Sequence, residues 1–147
     1  MKSFKLITVG SLSKAYLDLQ KDFLKRLRPP CQLVEVAANH HDLGKEGKNV
    51  LAALETGDTP ILLDSRGPLL SSEEFAQWFY QRWDQGQKLC FILGGTYGHS
   101  TQVYQQVKTS ISLSKMTFPH ELCRIIFLEQ LYRIQCIKSG HPYHQMP

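Results

Sequence analysis

The sequence predicts an α/β protein with a largely parallel sheet flanked by helices. Five short β-prone runs, at residues 4–9, 33–36, 60–63, 89–93 and 111–113, alternate with amphipathic segments, as in sheets built from crossover units. The runs at 60–63 and 89–93 are apolar throughout, as strands buried on both faces are. With 147 residues, 42% of them hydrophobic, the chain has the size and composition of one domain, expected over residues 1–147.

The first run ends in Gly10, and Ser11 or Ser13 can cap the helix that follows. Leu12, Tyr16, Leu19, Phe23 and Leu27 recur at three- and four-residue spacing, with Lys14, Lys21, Lys25, Arg26 and Arg28 among them, until Pro29 and Pro30 stop the pattern. This predicts an amphipathic helix with a basic outer face. After the second strand, residues 37–47 contain Asn39, His40, His41, Asp42 and two glycines, and read as a polar, mobile loop carrying Lys45. A short helix through Val50, Leu51 and Leu54 is expected next, ending near Gly57, and then the third strand. Ser71-x-x-Glu74 is a capping box ahead of Phe75, Trp78, Phe79 and Trp83. A short helix over 101–108 separates the fourth and fifth strands. Pro119 stands where a helix places its first residue, and the apolar pattern from Leu122 runs to about Ile137, with Gly140 ending it before the tail 141–147.

Composition excludes several classes of protein. The longest apolar runs fall well short of the ~18 residues a membrane-spanning helix needs, and the amino terminus lacks a secretory apolar core. Cys31, Cys90, Cys123 and Cys136 form no CxxC pair and read as buried reduced thiols, which points to the cytoplasm. Seventeen Lys and Arg against thirteen acids give a net charge of +4, compatible with an anionic partner such as RNA.

In sheets of this kind ligands collect at the carboxyl ends of the strands. The segments there are Asp64-Ser-Arg-Gly67, Gly94-Gly-Thr-Tyr-Gly98-His99 and Ser114-Lys-Met-Thr-Phe118. Gly94, Gly95 and Gly98 match neither a dinucleotide fingerprint nor a phosphate loop, and are read either as a turn that needs glycine for packing or as a close approach to a bound molecule. Leu113, Met116 and Phe118, interleaved with Ser114, Lys115 and Thr117, suit an apolar slot for a flat heterocycle. His40 and His41 are expected in solvent. His141 and His144 have metal-pair spacing, but Pro142 between them prevents helical geometry and no third ligand is evident, so no metal is expected. His120 is either an early-helix polar contact or part of a site. Arg124, Glu129, Gln130, Tyr132 and Arg133 form a polar series in the last helix, read as a solvated face or as cations for phosphate.

Together, Leu63-Asp64-Ser-Arg-Gly67, Phe91-Ile-Leu-Gly-Gly-Thr-Tyr-Gly98, Leu113-Ser-Lys-Met-Thr-Phe-Pro-His120, Arg124, Glu129-Gln-Leu-Tyr-Arg133 and Pro142-Tyr-His144 closely resemble the bacterial large-subunit ribosomal RNA pseudouridine N3-methyltransferases, of the SPOUT class. The resemblance covers essentially the whole chain, in the family's motif order. It implies a carboxyl-terminal trefoil knot, an exception to the rule that chains do not thread themselves. It also implies S-adenosylmethionine as cofactor, bound by Leu63, Gly94, Gly95, Leu113, Ser114, Lys115, Met116, Thr117 and Phe118. A homodimer is implied, with the tail of one chain approaching the cofactor of the other.

The implied reaction is methylation of N3 of a pseudouridine in helix 69 of the assembled ribosome. N3 must lose its proton to become a good nucleophile, and His144 and Tyr143 are the candidate base and positioning group, with Arg133 or Arg124 as electrostatic support. Lys25, Arg26, Arg28, Lys45, Lys48 and Arg124 are the candidate RNA contacts. Many relatives carry a basic residue after the Tyr-His pair, where this chain has Gln145. That departure leaves two alternatives: a ribosome-associated RNA-binding factor of the same fold without turnover, or a SPOUT enzyme acting on another RNA.

Overall fold

Strands β1 (Phe4–Val9), β2 (Cys31–Val36), β3 (Asp58–Leu63), β4 (Lys88–Leu93) and β5 (Ser110–Ile111) form one parallel sheet in the order β2-β1-β4-β3-β5. They belong to a computed structural model that describes residues 2–145, so the expectations that touch Met1, Met146 and Pro147 lie outside the described residues. Helices α1 (Lys14–Arg26), α2 (Leu43–Ala52), α3 (Ser72–Asp84), α4 (Thr101–Gln106) and α5 (His120–Ser139) complete the α/β architecture.

Period-two alternation sends the strand residues to two cores. Phe4, Leu6, Ile61, Leu63, Leu89, Phe91 and Leu93 pack against Phe75 and Phe79 of α3 and Phe127, Leu128 and Leu131 of α5, with Phe23 and Leu24 of α1 at the margin. Ile7, Val9, Leu62, Cys90 and Ile92 face Val50 of α2 and Val103 of α4. Burial on both faces accounts for the unbroken apolar strands. The expected capping box forms: Ser71 Oγ accepts from Glu74 N–H at 3.0 Å, and Glu74 Oε1 accepts from Ser71 N–H at 2.8 Å.

The polar segment 37–47 is a correction, because α2 begins within it. Asp42 caps the helix, its Oδ1 accepting from Lys45 N–H at 3.1 Å, so Gly44 and Gly47 are helical. A Cβ on Gly47 would lie 2.1 Å from Ser100 Oγ, so α2 needs glycine there to pack on the segment leading into α4. Leu19 was expected in the core, yet it is 45% exposed, and Gln20 beside it is buried. Pro119 is the N-cap rather than the first helical residue, and β5 is shorter than expected because Ser112 Oγ accepts from Ser114 N–H and turns the chain away. Gly140, at φ 74°, ends α5 as expected.

Cys90 and Cys136 are buried, Cys31 and Cys123 partly so, and all four thiols are free. Burial pushes the Cys31 and Cys123 thiols up and takes Cys90 to about 12, so these three stay protonated and unreactive at neutral pH. Among the described residues no helix is long and apolar enough to cross a membrane.

Candidate active site

The segments after β3, β4 and β5 converge on a cavity of about 300 Å³ at the carboxyl edge of the sheet. Its apolar walls are Leu63, Leu93, Leu113, Met116 and Phe118, and its polar rim includes Asp64, Arg66, Thr96, Thr117 and His120. Of the expected cofactor residues, Leu63, Gly94, Gly95, Leu113, Ser114, Met116, Thr117 and Phe118 line it. Lys115 lies in the same turn but is exposed and outside the lining.

Local hydrogen bonds hold these walls. Met116 N–H donates to Ser114 Oγ at 2.9 Å and Ser112 Oγ donates to the Ser114 carbonyl at 2.9 Å, which fixes the turn presenting Met116 and Phe118. Gly98 N–H donates to the Gly95 carbonyl at 3.1 Å, and Gly98 has φ +77°. The space a Cβ on Gly94 would need is taken by the Gly98 backbone, 2.7 Å away at its carbonyl carbon. Gly94→Ala must therefore open the 94–98 turn, and cofactor affinity is expected to fall about tenfold or more, measured by calorimetry. Unchanged affinity would show that the turn does not shape the binding cavity.

Asp64, Arg66 and His99, in the named strand-end segments but not among the expected cofactor contacts, also line the cavity, as does Tyr104, which the sequence did not single out. His99 Nε2–H donates to the Leu63 carbonyl at 2.9 Å, and burial holds its imidazole below the ordinary range, favouring the neutral form. The Arg66 guanidinium lies 4.8 Å over the Tyr104 ring, and burial raises the Tyr104 phenol. Burial works against ionisation of Asp64, but the Arg66 amide at 3.0 Å, the Tyr104 hydroxyl and the Arg66 guanidinium outweigh it and hold the carboxyl below its usual range. The loop after β3 was legible, but Tyr104 lay within a helical pattern and gave no separate signal.

The three candidate catalytic residues meet elsewhere, where the tail folds against α5 and α3. Arg133 Nε donates to Glu129 Oε1 at 2.8 Å with Nη2 2.7 Å from the same oxygen, and its Nη1 lies 3.1 Å from His144 Nδ1. A guanidinium offers only donors, so Nδ1 is the accepting nitrogen and Nε2 carries the proton donated to Glu73 Oε1 at 2.7 Å. This bond to His144 is the main cause that lowers the Glu73 carboxyl. Tyr143 OH donates to Glu129 Oε1 at 3.2 Å, beneath the Arg133 guanidinium at 4.9 Å from its ring. Burial and the Glu129 charge raise the Tyr143 phenol. None of the three lines the cavity at the strand ends.

The RNA candidates divide. Lys25, Arg26, Arg28, Lys45 and Lys48 are exposed, with Arg26 paired to Asp22 at 3.2 Å. Arg124 is a correction: it is 2% exposed, and its guanidinium is spent on Glu35, Gln20 and the Val9 and Gly10 carbonyls, so it is a structural tie rather than a surface cation. Among the other histidines, His40, His41 and His141 are exposed, whereas His120 lines the cavity with Nδ1 3.5 Å from Thr96 Oγ1.

Residues 1–144 match the family model described as "Predicted SPOUT methyltransferase". Proteins named "Ribosomal RNA large subunit methyltransferase H" from Bacteroides thetaiotaomicron and Carboxydothermus hydrogenoformans are 34% and 36% identical, over 98% and 95% of this chain and 99% and 98% of theirs. A solved structure described as a "probable methylase family protein" from Haemophilus influenzae superposes with a TM-score of 0.60 at 8% identity, covering 97% of this chain and 70% of that one, which is a likeness of fold.

Proposed function

The chain belongs to the SPOUT methyltransferase family, and from that premise we propose that it methylates N3 of a pseudouridine in helix 69 of large-subunit ribosomal RNA, with S-adenosylmethionine as donor. The observation that carries this reading is the convergence of the three strand-end segments on one cavity, in the size range of small-molecule sites. The residues fit the cofactor: Gly94 and Gly95 present bare backbone on the cavity wall, apolar walls suit a flat base, and backbone groups of 113–118 border the space. The bound cofactor supplies an electrophilic methyl group on a sulfonium.

The chain's own residues then have three tasks. Leu63, Gly95 and the turn 113–118 orient the donor. Tyr143 positions the base and His144 accepts the N3 proton at Nδ1 once Arg133 turns from that nitrogen, which leaves an anion between two carbonyls that Arg133 favours. The tail cluster stands apart from the cavity of its own chain, which supports a homodimer in which it serves the partner's cavity. Leu19, Met116 and Tyr143, all large and exposed, are apolar surface that such an assembly can cover. One domain over the whole chain, a trefoil threading of the carboxyl-terminal segment and a cytoplasmic location go with this reading.

The test is methyl incorporation into purified ribosomes and into free large-subunit RNA, followed by mass mapping of the modified nucleotide. Transfer mapped to another nucleotide would redirect the reading to a different RNA. No transfer with cofactor binding intact would leave a binding factor of the same fold, the alternative that Gln145 raises. The exposed basic end of α1 is proposed to grip phosphates. The double reversal Lys25→Glu and Arg26→Glu is expected to weaken ribosome binding and lower the log–log salt slope by about 1 to 2, measured across a salt series. An unchanged slope would place the RNA contact on another face.

A further inference from the structure

A second cavity, of about 620 Å³, opens at the carboxyl ends of β1 and β2 and shares Gly95, Thr96 and His120 with the first. It lies beside the boundary between β1 and β4, where the chain's direction of progress across the sheet reverses, the place at which open α/β sheets bind ligands. Three carboxylates line it, and two are committed. Glu35 Oε2 is 2.6 Å from Arg124 Nη1, and Glu121 Oε1 accepts the Ser13 amide.

Glu46 differs. It is 4% exposed, held on the first turn of α2 with Oε2 accepting Asn39 N–H at 3.0 Å. Its Oε1 points at Gly95, 3.0 Å from where a Cβ would stand, and among the described residues no donor reaches it. An acceptor that no protein donor reaches and that opens on a cavity is free to take a hydrogen from a ligand there, and it repels phosphate and carbonyl edges.

We propose that this second cavity takes the acceptor base and that Glu46 Oε1 accepts the N1–H of pseudouridine. Resting on the function proposed above, this assigns the residue that tells pseudouridine from uridine. The two bases share O2, N3–H and O4. Only pseudouridine, joined to ribose through carbon, keeps a free N1–H, whereas the uridine N1 is the glycosidic nitrogen. A site built to hold that hydrogen discriminates against a base lacking it, because the carboxylate oxygen is then buried without a partner.

The experiment compares wild-type protein and Glu46→Gln on ribosomes carrying either pseudouridine or uridine at the target, measuring kcat/KM for methyl transfer and cofactor affinity. The glutamine amide can keep the Asn39 bond through its oxygen and then turns an NH2 donor toward N1–H. The expected result is a ten- to hundredfold loss on pseudouridine, little change on uridine, and unchanged cofactor affinity. An equal loss on both substrates would make Glu46 a base or a structural support and overturn the assignment. Should the variant misfold, wild-type protein alone still decides, since equal rates on the two ribosomes overturn it. Wild-type protein inactive on both would overturn the proposed function itself, and this assignment with it.

Discussion

His144→Ala is expected to lower the rate of methyl transfer by about a hundredfold or more while leaving cofactor affinity within about twofold. The separation follows from the structure, since His144 bonds Arg133 and Glu73 and does not line the cavity that fits the cofactor. Removal of the imidazole takes away the group proposed to accept the N3 proton, and it frees Arg133 Nη1 and Glu73 from their anchor. Single-turnover kinetics with cofactor titration on the same variant would check both halves. An equal fall in rate and cofactor affinity would mean that the tail is a structural prop for the cavity.

Arg124→Ala is expected to cost about 3 kcal/mol of stability, lowering the thermal midpoint by roughly 6–12 °C for a chain of this size. The guanidinium joins α5 to α1 through Gln20 at 3.2 Å, to β2 through Glu35 at 2.6 Å, and to the end of β1 through the Val9 and Gly10 carbonyls at 3.3 and 3.0 Å. Truncation leaves Gln20 and the carbonyls short of donors in a buried place, whereas Glu35, with its side chain 38% exposed, turns to water. Thermal unfolding of the purified variant measures the loss. A midpoint within about 2 °C of wild type would show that water replaces the guanidinium at little cost.

Period and punctuation made much of the fold legible. The apolar runs at β3 and β4 and the Ser71-Glu74 capping box each carry a local signal, and the structure has each where the pattern put it. The start of α2 did not show, because glycines beside His40 and His41 read as a turn. The contact that requires Gly47, with Ser100, comes from a segment distant in sequence. The same reason hid Arg124. A cation in a helix reads as solvated or anion-binding until Gln20 and Glu35 arrive from other elements. At the site, the segments after strands were accessible to topology alone, whereas Glu46 was not. Its burial depends on α2 being a helix and on Gly95 standing opposite.

Gly95, Thr96 and His120 are walls common to both cavities, and at Gly95 the wall is bare backbone. A partition of that kind makes the two occupants thermodynamically accountable to each other. Whatever factor the methyl donor imposes on the affinity for RNA, RNA imposes on the affinity for the donor, and the demethylated product, lacking the methyl group and its positive charge, need not carry the same factor. On the proposed function, displacement of the spent cofactor and release of the modified ribosome thus become linked equilibria, coupled through the wall that the two cavities share.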